Sequence, residues 1–470
     1  MVWSYLAQIA AFLITFGSTI MVARLVSPRD FGIYAMATAA TTIINVFMQF
    51  GLAKYIMREA ELSVQLLRSL FTVNFFLSLL YISAILIGAV FAEQVVGSAD
   101  VSRFLYVFAL FPLFAMMEFI PEALCSRDGR FGVISILSVL RAVVIALTTL
   151  ILAWQGFAFM SFAWAQVFAW AATALCFNLL VWRPDVWRFR LAGAKDILYF
   201  GSQMIGIRGL AQLGTRAGEM ALGSLLGLTS LGLFTRAAGL PGTLLNNVFG
   251  AAGNVIFSRM SLEMRETGEF HRTYTRFMRL LLGLMWPMMF GLAVLAGPVI
   301  RLLYGEKWQA AALPMSFIAL ATAVVIGLGM ASEVFILRHE TKRQFVIEIM
   351  RTAAGVLLFV GGAMFSLTAA AVARLGEALI AFMLYRPVLN KLLGGPEHAL
   401  REIYIESLLL GCVAALPSLL LMLSTGFSAA TPLHHVIGAV ALGGLFWAIL
   451  LYRRQHPLAE EFLRVVSRLR

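Results

Sequence analysis

The sequence predicts an all-α integral membrane protein of about fourteen transmembrane helices, in two pseudo-symmetric six-helix lobes around a central cavity with two additional helices at the end. Three observations predict it. Of the 470 residues, 61% are hydrophobic and only 13% are charged, a balance unlike that of a water-soluble chain of this size. The apolar residues gather into runs close to the roughly 20 that a helix needs to cross hydrocarbon. These runs are far longer than the ~10-residue alternating strands of a membrane barrel, so helices are the spanning element that satisfies its own backbone. Finally, a short motif recurs 200 positions further on, as set out below.

Spans are expected at 3 to 26, 31 to 53, 70 to 92, 103 to 123, 131 to 154, 157 to 182, 197 to 222, 229 to 257, 277 to 299, 310 to 337, 344 to 365, 367 to 389, 403 to 424 and 432 to 452. The first opens at Met1 without a basic leader or a small-residue cleavage site, so it is expected to remain in the membrane. Ser4, Gln8, Thr15 and Thr19 draw a mild polar line along it, and Thr38, Thr42, Asn45 and Gln49 do the same in the second. The fourth and fifth spans carry opposite charges at Glu118 and Arg141. In the seventh, Arg208, Gln212, Arg216 and Glu219 are spaced by four, four and three, which puts them on one helix face. Arg236, Thr243, Asn247 and Asn254 continue the pattern in the eighth. The tenth has Glu333 near its inner end, and the eleventh and twelfth carry Glu348 with Arg351 and Arg374 with Glu377, each spaced i,i+3.

Alternate loops differ sharply in basic residues. One set collects Arg127, Arg130, Arg183, Arg188, Arg190, Lys195, Arg259, Arg265, Arg272, Arg276, Arg338 and many more, while the other holds only Arg29, Arg103, Arg301 and Lys307. By the positive-inside rule the first set is cytoplasmic, and so are both termini. The net charge of +12 therefore reports topology and proximity to anionic headgroups rather than a nucleic-acid surface. Cys125, Cys176 and Cys412 fall within or beside apolar segments and suggest neither a disulfide framework nor a metal site.

Ser27-Pro28-Arg29-Asp30-Phe31-Gly32-Ile33-Tyr34 is echoed by Gly227-Leu228-Thr229-Ser230-Leu231-Gly232-Leu233-Phe234. The offset spans six helices, an even number, so both copies enter the membrane in the same direction. The repeat divides the chain into an N-terminal lobe at 1–190, a C-terminal lobe at 191–390, and two additional helices with a tail at 391–470.

Seven arginines, Arg24, Arg141, Arg208, Arg216, Arg236, Arg351 and Arg374, lie inside apolar spans and are not counted with the loops; each costs about 2.5–3.5 kcal/mol there unless it faces protein or water. For Arg141 with Glu118, and for the two i,i+3 pairs, mutual pairing is the simpler reading. Arg208 and Arg216 differ, because two arginines share one stripe with a single carboxylate. Arg208, Gln212, Arg216, Glu219, Arg24, Arg236, Asn45, Asn247 and Arg141 are therefore the candidate substrate-binding residues. Glu219 and Glu333 are the candidates for ion coupling, with Arg338 or Arg351 as alternative structural partners of Glu333. No metal motif, cofactor motif, phosphate-binding glycine loop or catalytic constellation stands out, so neither an enzyme nor a cofactor is expected.

The stretch Ala23 to Tyr34, its second copy around Gly232, and Pro298-Val299-Ile300-Arg301-Leu302-Leu303-Tyr304-Gly305-Glu306-Lys307-Trp308 resemble the bacterial polysaccharide flippases of the multidrug/oligosaccharidyl-lipid/polysaccharide superfamily, the Wzx-like polysaccharide transporters. The resemblance implies a bacterial inner-membrane protein. It would turn undecaprenyl-diphosphate-linked oligosaccharide units from the cytoplasmic to the periplasmic leaflet by alternating access, for exopolysaccharide, O-antigen or capsule assembly. It also implies membrane lipids and the polysaccharide polymerase machinery as partners, with no nucleic acid, and places the polyprenyl tail along the last two helices. Three alternatives remain: a drug/cation antiporter of the same superfamily, which would favour acidic lumen residues, a membrane glycosyltransferase or ligase, which the short outer loops disfavour, and a non-transporting scaffold for polymer assembly.

Overall fold

The structure, a computed structural model, describes residues 2–48, 52, 55–56, 62–181, 183–204 and 207–461. These residues form helices and no strands. They fall into two compact units, Met1–Gly232 and Leu233–Arg470. The first unit thus takes in residues 191–232, which the repeat assigns to the second lobe.

In the first unit the helices are α1 (Val2–Leu25), α2 (Pro28–Met48), α3 (Val64–Val96), α4 (Ala99–Phe108), α5 (Phe111–Arg127), α6 (Phe131–Trp154), α7 (Met160–Leu180) and α8 (Ala194–Met204), followed by the start of α9 (Ile207–Thr267). α1 lies against α6, α6 against α7, and α7 against α5, while α3 lies beside α2, α4, α5 and α8. The second unit contains the rest of α9, then α10 (His271–Val294), α11 (Ala296–Tyr304), α12 (Ala312–Ile326), α13 (Ala331–Leu337), α14 (Thr341–Ala363), α15 (Leu367–Leu393), α16 (Glu397–Ser424) and α17 (Leu433–Arg453). Here α10 packs on α12 and α16, α15 on α12 and α14, and α16 on α17.

Twelve helical stretches among the described residues are long and apolar enough to cross a bilayer. One of them, Gln212–Phe249, is interrupted at Gly227, where φ is 83° and ψ 163°; α2 is a further helix of 21 residues. The break and α2 account for the difference from the fourteen spans read from the sequence.

The recurring motif starts a helix. Ser27 caps α2: the Asp30 backbone N–H donates to Ser27 Oγ at 3.2 Å, while the Ser27 N–H and hydroxyl donate to the Asp30 carboxylate at 3.0 and 2.5 Å. This reciprocal arrangement is a capping box, and Pro28 supplies the φ that the first helical position wants. At the second copy Gly227 provides the break, a backbone conformation that only glycine adopts without penalty.

Four positions into each new helix stands a glycine, and the two meet. A Cβ on Gly32 would lie 1.7 Å from the Leu228 carbonyl oxygen, and one on Gly232 would lie 1.9 Å from the Pro28 carbonyl oxygen. The contact is reciprocal: Pro28 and Leu228 are equivalent in the repeat, as are Gly32 and Gly232. The helices cross with their backbones touching, which excludes any side chain at either position.

In the second unit a polar segment after α17 folds back on the bundle. The His456 side chain is 1% exposed; its Nδ1 accepts the Leu458 N–H at 3.2 Å, and its Cε1 would be only 2.8 Å from a Cβ on Gly283. Trp447 Nε1 donates to the Gly283 carbonyl at 3.0 Å, and Arg276 pairs with Glu461 at 2.9 Å. Burial, helped by the nearby Arg279, pushes the His456 pKa down from 6.5 to about 4. A depressed imidazole contributes stability that is complete above pH 6.5 and is lost as pH falls towards 4. Melting of the purified protein is therefore expected to drop over that interval. A His456→Gln variant, which cannot charge, is expected to show a flatter profile; an identical profile would contradict the assignment.

Candidate functional site

The polar stripe on the first half of α9 is the arrangement with most chemistry left open. Arg216 donates through Nη1 to Glu219 Oε2 at 2.7 Å. The Arg216 side chain is 30% exposed and that of Glu219 13%. The Arg216 Nε–H is buried and has no hydrogen-bond partner, a costly state for a guanidinium donor. One carboxylate thus engages one edge of the fork. Gln212, one turn earlier, is half-buried. The side chain of Arg208 lies outside the described residues, as do those of Ser4 and Asn254 and the whole of Gln49, Phe50 and Gly51.

The remaining candidates have diverse settings. Arg24 is exposed near the end of α1 and Asn247 is exposed on α9, whereas Asn45 is half-buried on α2 and hydrogen-bonds the Tyr81 hydroxyl. Arg236 is 4% exposed. Its guanidinium carbon lies 4.8 Å from the ring centre of Tyr304 and 5.0 Å from that of Trp308, within cation–π range. The motif ending at Trp308 therefore has a structural role. Gly305, at φ 93°, lets the chain turn after α11, and the two aromatic residues flanking that turn receive Arg236.

Arg141 is paired with Glu118, as the simpler reading of the sequence expects. It also donates to Thr173 Oγ1 at 3.1 Å and lies 3.8 Å from the Trp170 ring centre. Thr173 donates in turn to Glu118 at 2.6 Å. In the second unit the two i,i+3 pairs are both present and are joined. Arg351 reaches Glu348 at 2.5 Å and Glu377 at 2.7 Å, and Arg374 reaches Glu377 at 2.7 Å. Tyr385 donates to Glu348 at 2.9 Å. Gly355 leaves room for this chain of charges, since a Cβ there would be 2.6 Å from the Glu377 carboxyl carbon. Two arginines and two glutamates cancel, so the cluster ties α14 to α15 and offers no net charge to a ligand.

Glu333 is half-buried in α13 and has no ion pair among the described residues. The partners considered for it are engaged elsewhere, Arg338 on the Leu392 carbonyl at 2.7 Å and Arg351 on Glu348 and Glu377. Thr173, Tyr385 and the Tyr304–Trp308 pair are the polar and aromatic partners that helical spacing alone leaves out, because each comes from a distant part of the chain. No cluster of three or more potential metal-ligating side chains occurs among the described residues.

Residues 21–313 match the family described as polysaccharide biosynthesis protein. The chain is 22% identical over 327 residues to the succinoglycan biosynthesis transport protein ExoT of Rhizobium meliloti (strain 1021), an alignment covering 69% of this chain and 65% of that protein. It thus spans slightly less than two-thirds of that relative's length. Among solved structures, the lipid II flippase MurJ in an inward closed conformation superposes with a TM-score of 0.78 at 14% identity, over 97% of this chain and 99% of that one. An inward-facing multidrug resistance MATE family transporter of the MOP superfamily superposes with a TM-score of 0.65 at 14% identity, over 81% and 95%. At such identities the likeness establishes a shared helical fold. With more than half of its length matched by the family and with that fold throughout, the chain belongs to the polysaccharide biosynthesis protein family of multi-span membrane proteins.

Proposed function

We propose that this chain carries polyprenyl-diphosphate-linked oligosaccharide units from the cytoplasmic to the periplasmic leaflet by alternating access, for assembly of an extracellular polysaccharide. The observation that carries the reading is Arg216, a guanidinium on a membrane-embedded helix with one carboxylate partner and a buried Nε–H still unmatched. A diphosphate with a hydrated glycan cannot enter hydrocarbon unaided, since a charge at the bilayer centre costs about 2.5–3.5 kcal/mol even on the insertion scale. Arginine forks are suited to oxyanions of this kind. Gln212 extends the polar surface one turn from Arg216, and Arg208, four positions before Gln212 in the sequence, is assigned to the same stripe by its spacing; Arg24, Asn45 and Asn247 are assigned lesser roles. Glu219 would release Arg216 to the incoming phosphate, and ion coupling is assigned to Glu219 or to Glu333, which has no ion pair among the described residues. The names of the relatives, a succinoglycan transport protein and a lipid II flippase, support the class of cargo.

The drug/cation antiporter reading is less favoured. Glu118, Glu219, Glu348 and Glu377 are each matched by an arginine, which leaves little acidic surface for a cation.

Arg216→Ala and Arg208→Ala, each with membrane insertion verified, are expected to lower polymer output at least ten-fold when expressed in a strain lacking its own polysaccharide flippase. Arg216→Lys, which keeps charge but loses the fork, is expected to fall between. Unchanged output from the alanine variants would remove these residues from the site.

A further inference from the structure

We propose that a second anion site, separate from the α9 stripe, lies where α9 ends and α10 begins, and that it takes a phosphate oxyanion. A cavity of about 470 Å³ opens there, lined by Arg259, Arg272 and Arg276 with Thr273 beside them, and with Ile256, Phe277 and Leu280 as an apolar wall. The chain builds it simply. α9 stops at Thr267, Gly268 turns the backbone at φ 75°, and α10 starts at His271, so the last turns of one helix face the first turns of the next. Arg272 and Arg276, spaced by four, share a face of α10, and Arg259 approaches from α9.

The charge there is unbalanced. Among the described residues Glu461 is the one carboxylate lining the cavity, and it pairs with Arg276 at 2.9 Å. Arg259 and Arg272 have no ion pair among the described residues, and Glu263, Glu266 and Glu269 on the intervening segment do not line the cavity. Three guanidinium groups against one carboxylate leave a net positive pocket. Guanidinium groups converging on one space are the arrangement that grips a phosphate through paired N–H donors. The apolar wall suits a ligand whose phosphate is joined to a hydrocarbon chain.

Glu461 occupies the place of the ligand. Its carboxylate is the anion that the chain itself supplies, and it is held there by the His456 docking a few residues earlier. A phosphate entering the cavity competes with it for Arg276, so binding and the position of this segment are linked. The inference goes beyond the proposed cargo, because any phosphate headgroup, or a soluble diphosphate, meets the same chemistry.

The test uses the full-length protein in nanodiscs of neutral phosphatidylcholine, with Arg259→Gln/Arg272→Gln and Glu461→Gln variants. One arm measures retention of an added short polyprenyl phosphate by native mass spectrometry; the other measures inorganic pyrophosphate by titration calorimetry. The double arginine variant is expected to lose at least ten-fold in affinity, and Glu461→Gln to gain at least three-fold. Arginine-dependent binding in the first arm identifies a lipid as the source, and in the second alone a soluble phosphate; either supports the site. Arg259→Lys/Arg272→Lys, which preserves charge, guards against simple misfolding and is expected to retain part of the binding. Absence of binding in both arms, or binding indifferent to these substitutions, overturns the inference. Because Arg216 is untouched, such a failure leaves the export reading to its own test.

Discussion

Gly32→Val is expected to abolish export and to reduce the yield of folded protein severely, and Gly232→Val to do the same. The obstacle at each position is backbone: the Leu228 carbonyl at 1.7 Å from a Cβ on Gly32, and the Pro28 carbonyl at 1.9 Å from one on Gly232. A flexible side chain could rotate away, but a helix carbonyl cannot. Even alanine would force the two helices apart by more than an ångström, loosening whatever packs around the crossing. Overpacking of ordinary side chains costs about 1–3 kcal/mol, and a backbone clash belongs at or above the top of that range. Because both glycines serve one crossing, Gly32→Ala/Gly232→Ala is expected to melt only slightly below either single variant, a strong departure from additivity. Gly239→Ala and Gly242→Ala, where a Cβ meets nothing within 4 Å, are the controls. Melting curves followed by size-exclusion chromatography in detergent check all of these. A Gly32→Ala variant as stable as those controls would show that the crossing is not built as described.

The second large effect is expected from Glu118→Ala. The carboxylate side chain is 1% exposed and serves both Arg141 and Thr173. Removing it leaves a partly buried guanidinium beside Trp170 with no counter-charge. Breaking a buried pair from one side costs about 3–5 kcal/mol, which should show as a large fall in melting temperature. Glu118→Met/Arg141→Met, which removes both charges, is expected to recover much of the loss, since a well-packed apolar replacement of a buried pair is often close to neutral. The exposed Arg301–Glu306 pair offers the contrast: truncating either partner is expected to cost under about 1 kcal/mol. If Glu118→Ala melts like a variant of that exposed pair, the cluster does not hold the first unit together.

The spans were legible because crossing hydrocarbon demands a minimum apolar length and leaves short polar joints, a signal that needs no tertiary information. Helical spacing likewise exposed Arg216 with Glu219, Glu348 with Arg351 and Arg374 with Glu377 as neighbours. What spacing cannot say is what stands opposite a face. Arg236 shares a stripe with Thr243 and Asn247 in the sequence, yet its guanidinium is received by Tyr304 and Trp308 nearly seventy positions away. The bond from Arg351 to Glu377, which turns two local pairs into one cluster, and the Thr173 hydroxyl on Glu118 are equally non-local.

The repeat shows the same division between what is local and what is not. Its similarity was visible, and so was its place between two spans, whereas its role as the start of a helix was not. The reason for its glycines was not, because the Cβ-free crossing of Gly32 on Leu228 and of Gly232 on Pro28 exists only once the two copies meet. The motif that carried the family resemblance thus encodes a helix cap, a helix break and a close approach. His456 escaped notice for a related reason: a lone histidine beyond the last span carries no pattern, and its burial against Gly283 arises from the fold-back of the chain.

The central claim is that Arg216 meets a diphosphate during its passage between leaflets. The most direct measurement is translocation of a fluorescent polyprenyl-diphosphate oligosaccharide in proteoliposomes, scored by protection from a membrane-impermeant quencher, for the unaltered protein and for Arg216→Ala. The account predicts protein-dependent translocation that falls at least ten-fold in the variant, with the same protein orientation and melting temperature. Translocation at an undiminished rate with Arg216→Ala, or none with the unaltered protein under an imposed ion gradient, would contradict it.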